Sequence, residues 1–266
     1  MCTIGSVLLP TRVITFKQCD LPRRTLFLDP DPELRRGPRG LRYLAFERED
    51  LGGPWAGVNE RGVAFVAADA YLAVGPDAEH AEHGGRGDER PGDVFAAYRS
   101  ILAEHESARD ALYAMIDFYT DRGAADILLL SDPEGAFLLE FSPDEGVRIA
   151  HQRDGSLLAT NHFRMLPGAV GPEEDPSTHL RLSRAEEILA GAAGMDGVRA
   201  LLADQAHGQT GCSICRVAEA PGDYHTQASV IFTVGRGRVD CAYLLNGNPR
   251  TGWFIDREDV FGCSSF

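Results

Sequence analysis

Residue 2 of this chain is a cysteine, Cys2, set between Met1 and Thr3. An initiator methionine is normally clipped before a small residue, which would leave a thiol and a free α-amine on one residue. That pair is a nucleophile with its own base. A terminal α-amine titrates at about 7.7 to 8.0, near enough to neutrality to take the proton of a neighbouring thiol, whereas a lysine near about 10.4 is rarely free to do so. A nucleophile activated by its own terminal amine is an established arrangement for cleaving amides. Cys212 and Cys215 also form a C-x-x-C. No second pair with metal-ligand spacing accompanies them and Ser213-Ile214 lies in an apolar, strand-like context, so neither a zinc site nor a redox motif is expected. No cofactor and no other metal is expected. His80 and His83 fall in a polar stretch and read as solvated.

The elements that must position Cys2 follow from periodicity. Residues 3–9 and 12–16 alternate like paired strands across a turn at Pro10-Thr11, and short apolar runs cover 24–28 and 42–46. Residues 55–58 and 63–68 are two more strand-like pieces, joined by Asn59-Glu60-Arg61-Gly62, whose Asn and Gly favour a tight turn. Residues 75–92 are acidic and glycine-rich and are expected to form a mobile loop. Helical spacing then appears over 93–104 and 107–119, with Ser107 as an N-cap. Strand periodicity returns at 127–130, 136–141, 147–150 and 157–160, a second helical pair covers 181–189 and 195–202, and strands near 213–217, 227–234 and 239–245 close the chain. Antiparallel hairpins interrupted by helix pairs imply stacked sheets with helices outside, an α+β fold in a single domain over 1–266.

Composition excludes several functions. A net charge of −14 argues against nucleic acid or an anionic membrane surface as partner, because phosphate binding is carried by clustered Lys and Arg. No segment approaches the roughly 18 apolar residues of a membrane span, and the N-terminus lacks the basic flank and apolar stretch of a signal peptide. Six cysteines over 266 residues are too sparse for a disulfide framework. A cytoplasmic protein is expected, with a small-molecule substrate as its partner and homo-oligomerisation left open. Of 26 basic residues other than histidine, only Lys17 is a lysine.

Six short stretches, in order along the whole chain, resemble the N-terminal-nucleophile (Ntn) hydrolases of the isopenicillin N acyltransferase-like family, relatives of choloylglycine hydrolase and penicillin V amidase. They are Cys2-Thr3; Lys17-Gln18-Cys19-Asp20, similar to an Arg-Asn-x-Asp stretch; and residues 57–64, similar to a G-x-N-E-x-G-L-A turn. The others are Thr160-Asn161-His162-Phe163, residues 180–185 opening a helix, and Cys212 to Arg216 followed by Thr226 and residues 229–232, similar to S-x-C-R and a T-x-x-S-V strand. The resemblance implies a four-layer αββα sandwich of antiparallel sheets and hydrolysis of a linear amide in a small molecule through a thioester on Cys2.

It also implies site roles. Asp20 would orient the α-amine through a charge-assisted hydrogen bond. Arg181 matches the family's site arginine, whose charge favours a thiolate. Asn161 would donate its side-chain amide to the oxyanion. Lys17 stands where the family has arginine and offers a point charge instead of a planar fork, so it would add charge near the thiol or touch substrate. Asp69 aligns near an oxyanion asparagine of the family; a carboxylate there would repel an oxyanion and suits binding of a cationic or amino-bearing substrate. Arg184 reads as a surface residue and His162 as a packing residue. Transfer of the acyl group from Cys2 to an amine shares every one of these residues with hydrolysis. The departures at Lys17 and Asp69 also admit an Ntn scaffold that has lost catalysis and serves as a binding protein.

Overall fold

The structure, a computed structural model, describes residues 1–21, 25–30, 34–68, 70, 94–122, 125–166, 176–217 and 224–262. Asp69 and the expected loop 75–92 lie outside them. In chain order the elements are β1 (Cys2–Leu9), β2 (Arg12–Leu21), β3 (Arg35–Arg36), β4 (Arg42–Glu47), β5 (Pro54–Asn59), β6 (Ala64–Ala68), α1 (Val94–Glu104), α2 (Ala108–Arg122), β7 (Asp126–Asp132), β8 (Gly135–Ser142), β9 (Gly146–Gln152), β10 (Gly155–Ala159), α3 (Pro176–Gly191), α4 (Met195–Leu202), β11 (His225–Gly235), β12 (Arg238–Leu245) and β13 (Ile255–Arg257).

They form two antiparallel sheets, one in the order β10-β1-β2-β11-β12-β13 and the other β3-β4-β5-β6-β7-β8-β9. Three apolar clusters show how the sheets stack. One lies between them, with Ile4, Phe46, Val58, Leu129, Val230 and Phe232 from both inner faces. A second packs α1 and α2 on the outer face of the seven-stranded sheet, and a third packs α3 and α4 on the outer face of the other. The layers are therefore α, β, β, α, the α+β sandwich expected. Because each sheet is covered on both faces, its central strands are apolar on both sides rather than alternating. None of the described helices is long and apolar enough to cross a membrane.

Local chemistry explains the joints. The Ser107 hydroxyl accepts from the Asp110 N–H at 3.1 Å and donates to its carboxylate at 2.8 Å, capping α2. At the β5–β6 turn the Asn59 side-chain oxygen accepts from the N–H groups of Arg61 and Val63, and Gly62 takes φ 82°, which a side chain would resist. Gly5 on β1 is required for another reason: a Cβ there would lie 2.4 Å from the Leu158 side chain and 2.7 Å from the Phe16 ring.

Two expected strands are absent. Residues 25–28 contribute only an isolated bridge, Phe27 to Arg48. Residues 213–217 form bends and irregular backbone, because their backbone groups bond across loops: Cys215 N–H to Asp204 O, and Gln18 Nε2 to Ile214 O. Conversely, β2 runs five residues past the expected end at Phe16, through Lys17, Gln18 and Asp20, all buried.

Phe46 joins the inter-sheet core, its ring 5.3 to 6.0 Å from those of Trp55, Phe232 and Tyr243. Phe46→Ala is expected to remove about 3–5 kcal/mol of stability, read as a fall in the urea midpoint at unchanged slope.

Candidate active site

The first strand lies inside its sheet, between β10 and β2. Its ladder with β10 ends at Ile4 opposite Ala159; two further steps in that register would set Cys2 opposite Asn161. There the neighbouring backbone has left the sheet, and side chains take its place. The Cys2 N–H donates to Asn161 Oδ1 at 2.7 Å, and the Cys2 carbonyl accepts from Arg181 Nη1 at 2.6 Å. Arg181, fully buried on α3, also donates to Thr3 Oγ1 at 3.1 Å and, through Nη2, to Asn161 Oδ1 at 3.2 Å. Since Asn161 Oδ1 accepts from both, the side-chain orientation is set, with Nδ2 as its donating end.

On the other side of β1, Met1 and Asp20 exchange backbone hydrogen bonds at 2.6 and 2.8 Å. The Asp20 side chain is fully buried. Its Oδ1 accepts from Thr226 Oγ1 at 2.7 Å, and its Oδ2 faces Arg216 Nε at 3.5 Å. Arg216 is itself buried and donates to Ser177 Oγ at 3.0 Å. Its Nη1 lies 2.7 Å from the Met1 sulfur, while Arg181 Nη2 approaches the same sulfur at 3.9 Å. The Met1 side chain therefore fills a space next to Cys2 walled by two guanidinium groups. Arg216 faces the Asp20 carboxylate while Arg181 bonds to neutral groups, so two buried cations with one carboxylate give this space positive character.

Cys2 points into the space between the sheets, as does its cross-strand partner Cys19. A hydrogen bond to Cys2, followed by burial, pushes the Cys19 thiol well above its ordinary pKa, against the opposing pull of Lys17 and Arg48. Lys17 Nζ donates to the Ala67 carbonyl at 2.6 Å across the gap and lies 5.1 Å from the centre of the Trp55 ring. It thus links the two sheets beneath the thiols.

Cys2, Asp20, Asn161 and Arg181 come together from four separated stretches, and Lys17 lies on the same inner face of β2 as Cys19. Asp69 is outside the described residues. Asn59 is a turn residue, and Arg184, partly exposed, pairs with Asp204 and Glu187. His162 packs its ring 3.9 Å from that of His179. Sequence reasoning passed over Arg216, the buried partner of Asp20. The signal lies in the stretch Cys212 to Arg216, whose last residue is this arginine.

No family model and no curated protein matches this sequence. Solved structures do match. The chain is similar to a cysteine-to-alanine mutant of the conjugated bile acid hydrolase from Clostridium perfringens, with TM-score 0.56 and 10% identity over 97% of this chain and 96% of that one. A second variant of the same hydrolase gives 0.55 and 11% over 97% of each. The Caenorhabditis elegans ortholog of N-acylethanolamine-hydrolyzing acid amidase gives 0.53 and 11% over 87% of this chain and 92% of that one. The chain thus has the fold of the Ntn hydrolases.

Removing the Asp20 carboxylate would leave the Arg216 charge buried without its counter-ion. Asp20→Ala is expected to lower unfolding stability by about 3–5 kcal/mol, while Arg184→Ala, at a partly exposed ion pair, should change it by less than about 1 kcal/mol. Paired urea titrations read both values.

Proposed function

We propose that this protein hydrolyses a linear amide bond in a small molecule through a thioester on Cys2, the N-terminal nucleophile once Met1 is removed. The observation that carries the reading is the seating of Cys2. Its nitrogen is already held by Asn161 Oδ1 and its carbonyl by Arg181, with Met1 occupying the adjoining cation-walled space. Loss of Met1 converts that nitrogen from a peptide N–H, which cannot accept a proton, into an amine, which can. The names of the structural neighbours, a bile acid hydrolase and an acid amidase, agree with amide cleavage.

In this mechanism the Cys2 α-amine takes the thiol proton, and the thiolate attacks the amide carbonyl. Charge develops on the carbonyl oxygen, toward which Asn161 Nδ2 donates. Collapse expels the amine, which receives the proton from the α-ammonium, and leaves the acyl group on Cys2 as a thioester. Water activated by the same amine then releases the acid. Asp20 and Asn161 orient the amine, and Arg181 and Arg216 favour the thiolate by their charge. Lys17 and Asp69 are assigned to substrate contact and Lys17 also to the positive field around the thiols. The protein is assigned to the cytoplasm.

Intact mass on natively expressed protein should show the loss of one methionine residue and a single adduct on Cys2 after treatment with a thiol-directed inhibitor. Retained Met1 would sink the proposal. A screen of N-acyl amines and N-acyl amino acids, with and without an amine acceptor, should find turnover that Cys2→Ala lowers by on the order of 10,000-fold or more. Asn161→Ala should lower kcat by about 100 to 1,000-fold. Transfer to the acceptor in preference to water would make the enzyme an acyltransferase.

A further inference from the structure

Cys19 has no part in the chemistry above, yet it stands directly across from the nucleophile. Register pairs Cys2 with Cys19 on neighbouring antiparallel strands. The backbone pattern identifies the kind of pair. Met1 and Asp20, one step along, exchange both of their backbone hydrogen bonds, and the Cys2 N–H and carbonyl turn away from β2 toward Asn161 and Arg181. Cys2 and Cys19 are therefore a non-hydrogen-bonded pair, in which Cα atoms approach to about 4.5 Å with both side chains on one face. Disulfides span Cα separations of about 4.4 to 6.8 Å, so the pair can be bridged with little backbone movement. Neither cysteine is in a disulfide, and their side chains already share a hydrogen bond.

We propose that Cys2 and Cys19 form a reversible disulfide that switches the nucleophile off under peroxide and returns it under a dithiol reductant. This rests on the nucleophile reading, because Met1 must leave before an oxidant meets an activated Cys2 thiolate. The steps balance. The Cys2 thiolate attacks one oxygen of the peroxide, the O–O bond breaks, and sulfenic acid and hydroxide form. Cys19 sulfur then displaces the sulfenic oxygen, and its thiol proton leaves with that oxygen as water. A dithiol returns both cysteines to thiols by two exchange steps and becomes a disulfide itself.

The surroundings favour this over permanent oxidation. Lys17 and Arg48, the latter with Nη1 3.9 Å from Cys19 Sγ, supply positive charge beside the thiols. A resolving thiol in contact intercepts the sulfenic acid before further oxidation.

The test is peptide mapping of the whole protein after brief hydrogen peroxide treatment, alkylation with iodoacetamide and digestion without reductant. Arg12 and Lys17 lie between the two cysteines, so trypsin separates their peptides unless a bridge joins them. The expected result is a joined Cys2–Cys19 peptide pair about 2 Da lighter than the two free peptides, a drop of at least ~10-fold in Cys2 alkylation, and recovery with dithiothreitol. In Cys19→Ser, peroxide should drive Cys2 to forms about 32 or 48 Da heavier that dithiothreitol does not reverse. Over-oxidised Cys2 beside alkylated Cys19 in the wild type would overturn the switch, as would full recovery of Cys19→Ser. The N-terminal peptide also shows whether Met1 is present: retained Met1 counts against the nucleophile reading, and unjoined cysteines count against the switch.

Discussion

Everything at the site depends on how a sheet ladder ends. The first strand is interior, so its backbone groups need partners on both sides, and β10 supplies them only as far as Ala159. A buried N–H or carbonyl left without a partner costs about as much as a lost hydrogen bond. At Cys2 those partners are the oxygen of Asn161 and the guanidinium of Arg181. The groups that satisfy the backbone are the same groups that the proposed reaction assigns to the nucleophile: an acceptor that holds its nitrogen and a cation that holds its carbonyl. Fold stability and site geometry are here one set of hydrogen bonds, and the position of residue 2 is as well determined as the middle of a strand.

Burial of charge follows from that arrangement. Asp20, Arg181, Arg216 and Lys17 are all shielded from water, and each has named partners rather than solvent. Such clusters seldom raise stability, since the desolvation of each ion offsets most of the attraction it gains. Their cations outnumber the single carboxylate, which is a poor arrangement for packing and a suitable one for holding a thiolate and an oxyanion. Elsewhere on the inner faces, small hydroxyls bond to one another: Ser6 to Thr15 along one sheet, and Thr15 to Ser131 across to the other.

The boundaries of β2 show where local pattern reaches its limit. Alternation up to Phe16 reads as strand, and the polar run Lys17-Gln18-Cys19-Asp20 reads as its end. The strand continues because β11 lies on one side and β1 on the other, and each polar side chain finds a buried partner: Ala67 O for Lys17, Thr226 and Ile214 for Gln18, Thr226 and Arg216 for Asp20. The opposite error occurs at 213–217, apolar enough for a strand but with its backbone groups spent on loop and side-chain partners.

By itself the sequence determined the layered α+β architecture, most strand and helix positions, and the thiol at residue 2 with three of its polar neighbours. These are readable because side-chain periodicity, turn residues and short motifs are local. Tertiary structure decided that Arg216 is the partner of Asp20, that Cys19 faces Cys2, and that Asn161 replaces a missing strand residue. Those facts depend on the register between strands far apart in the chain, and register is set by the packing of whole sheets, which no short stretch encodes.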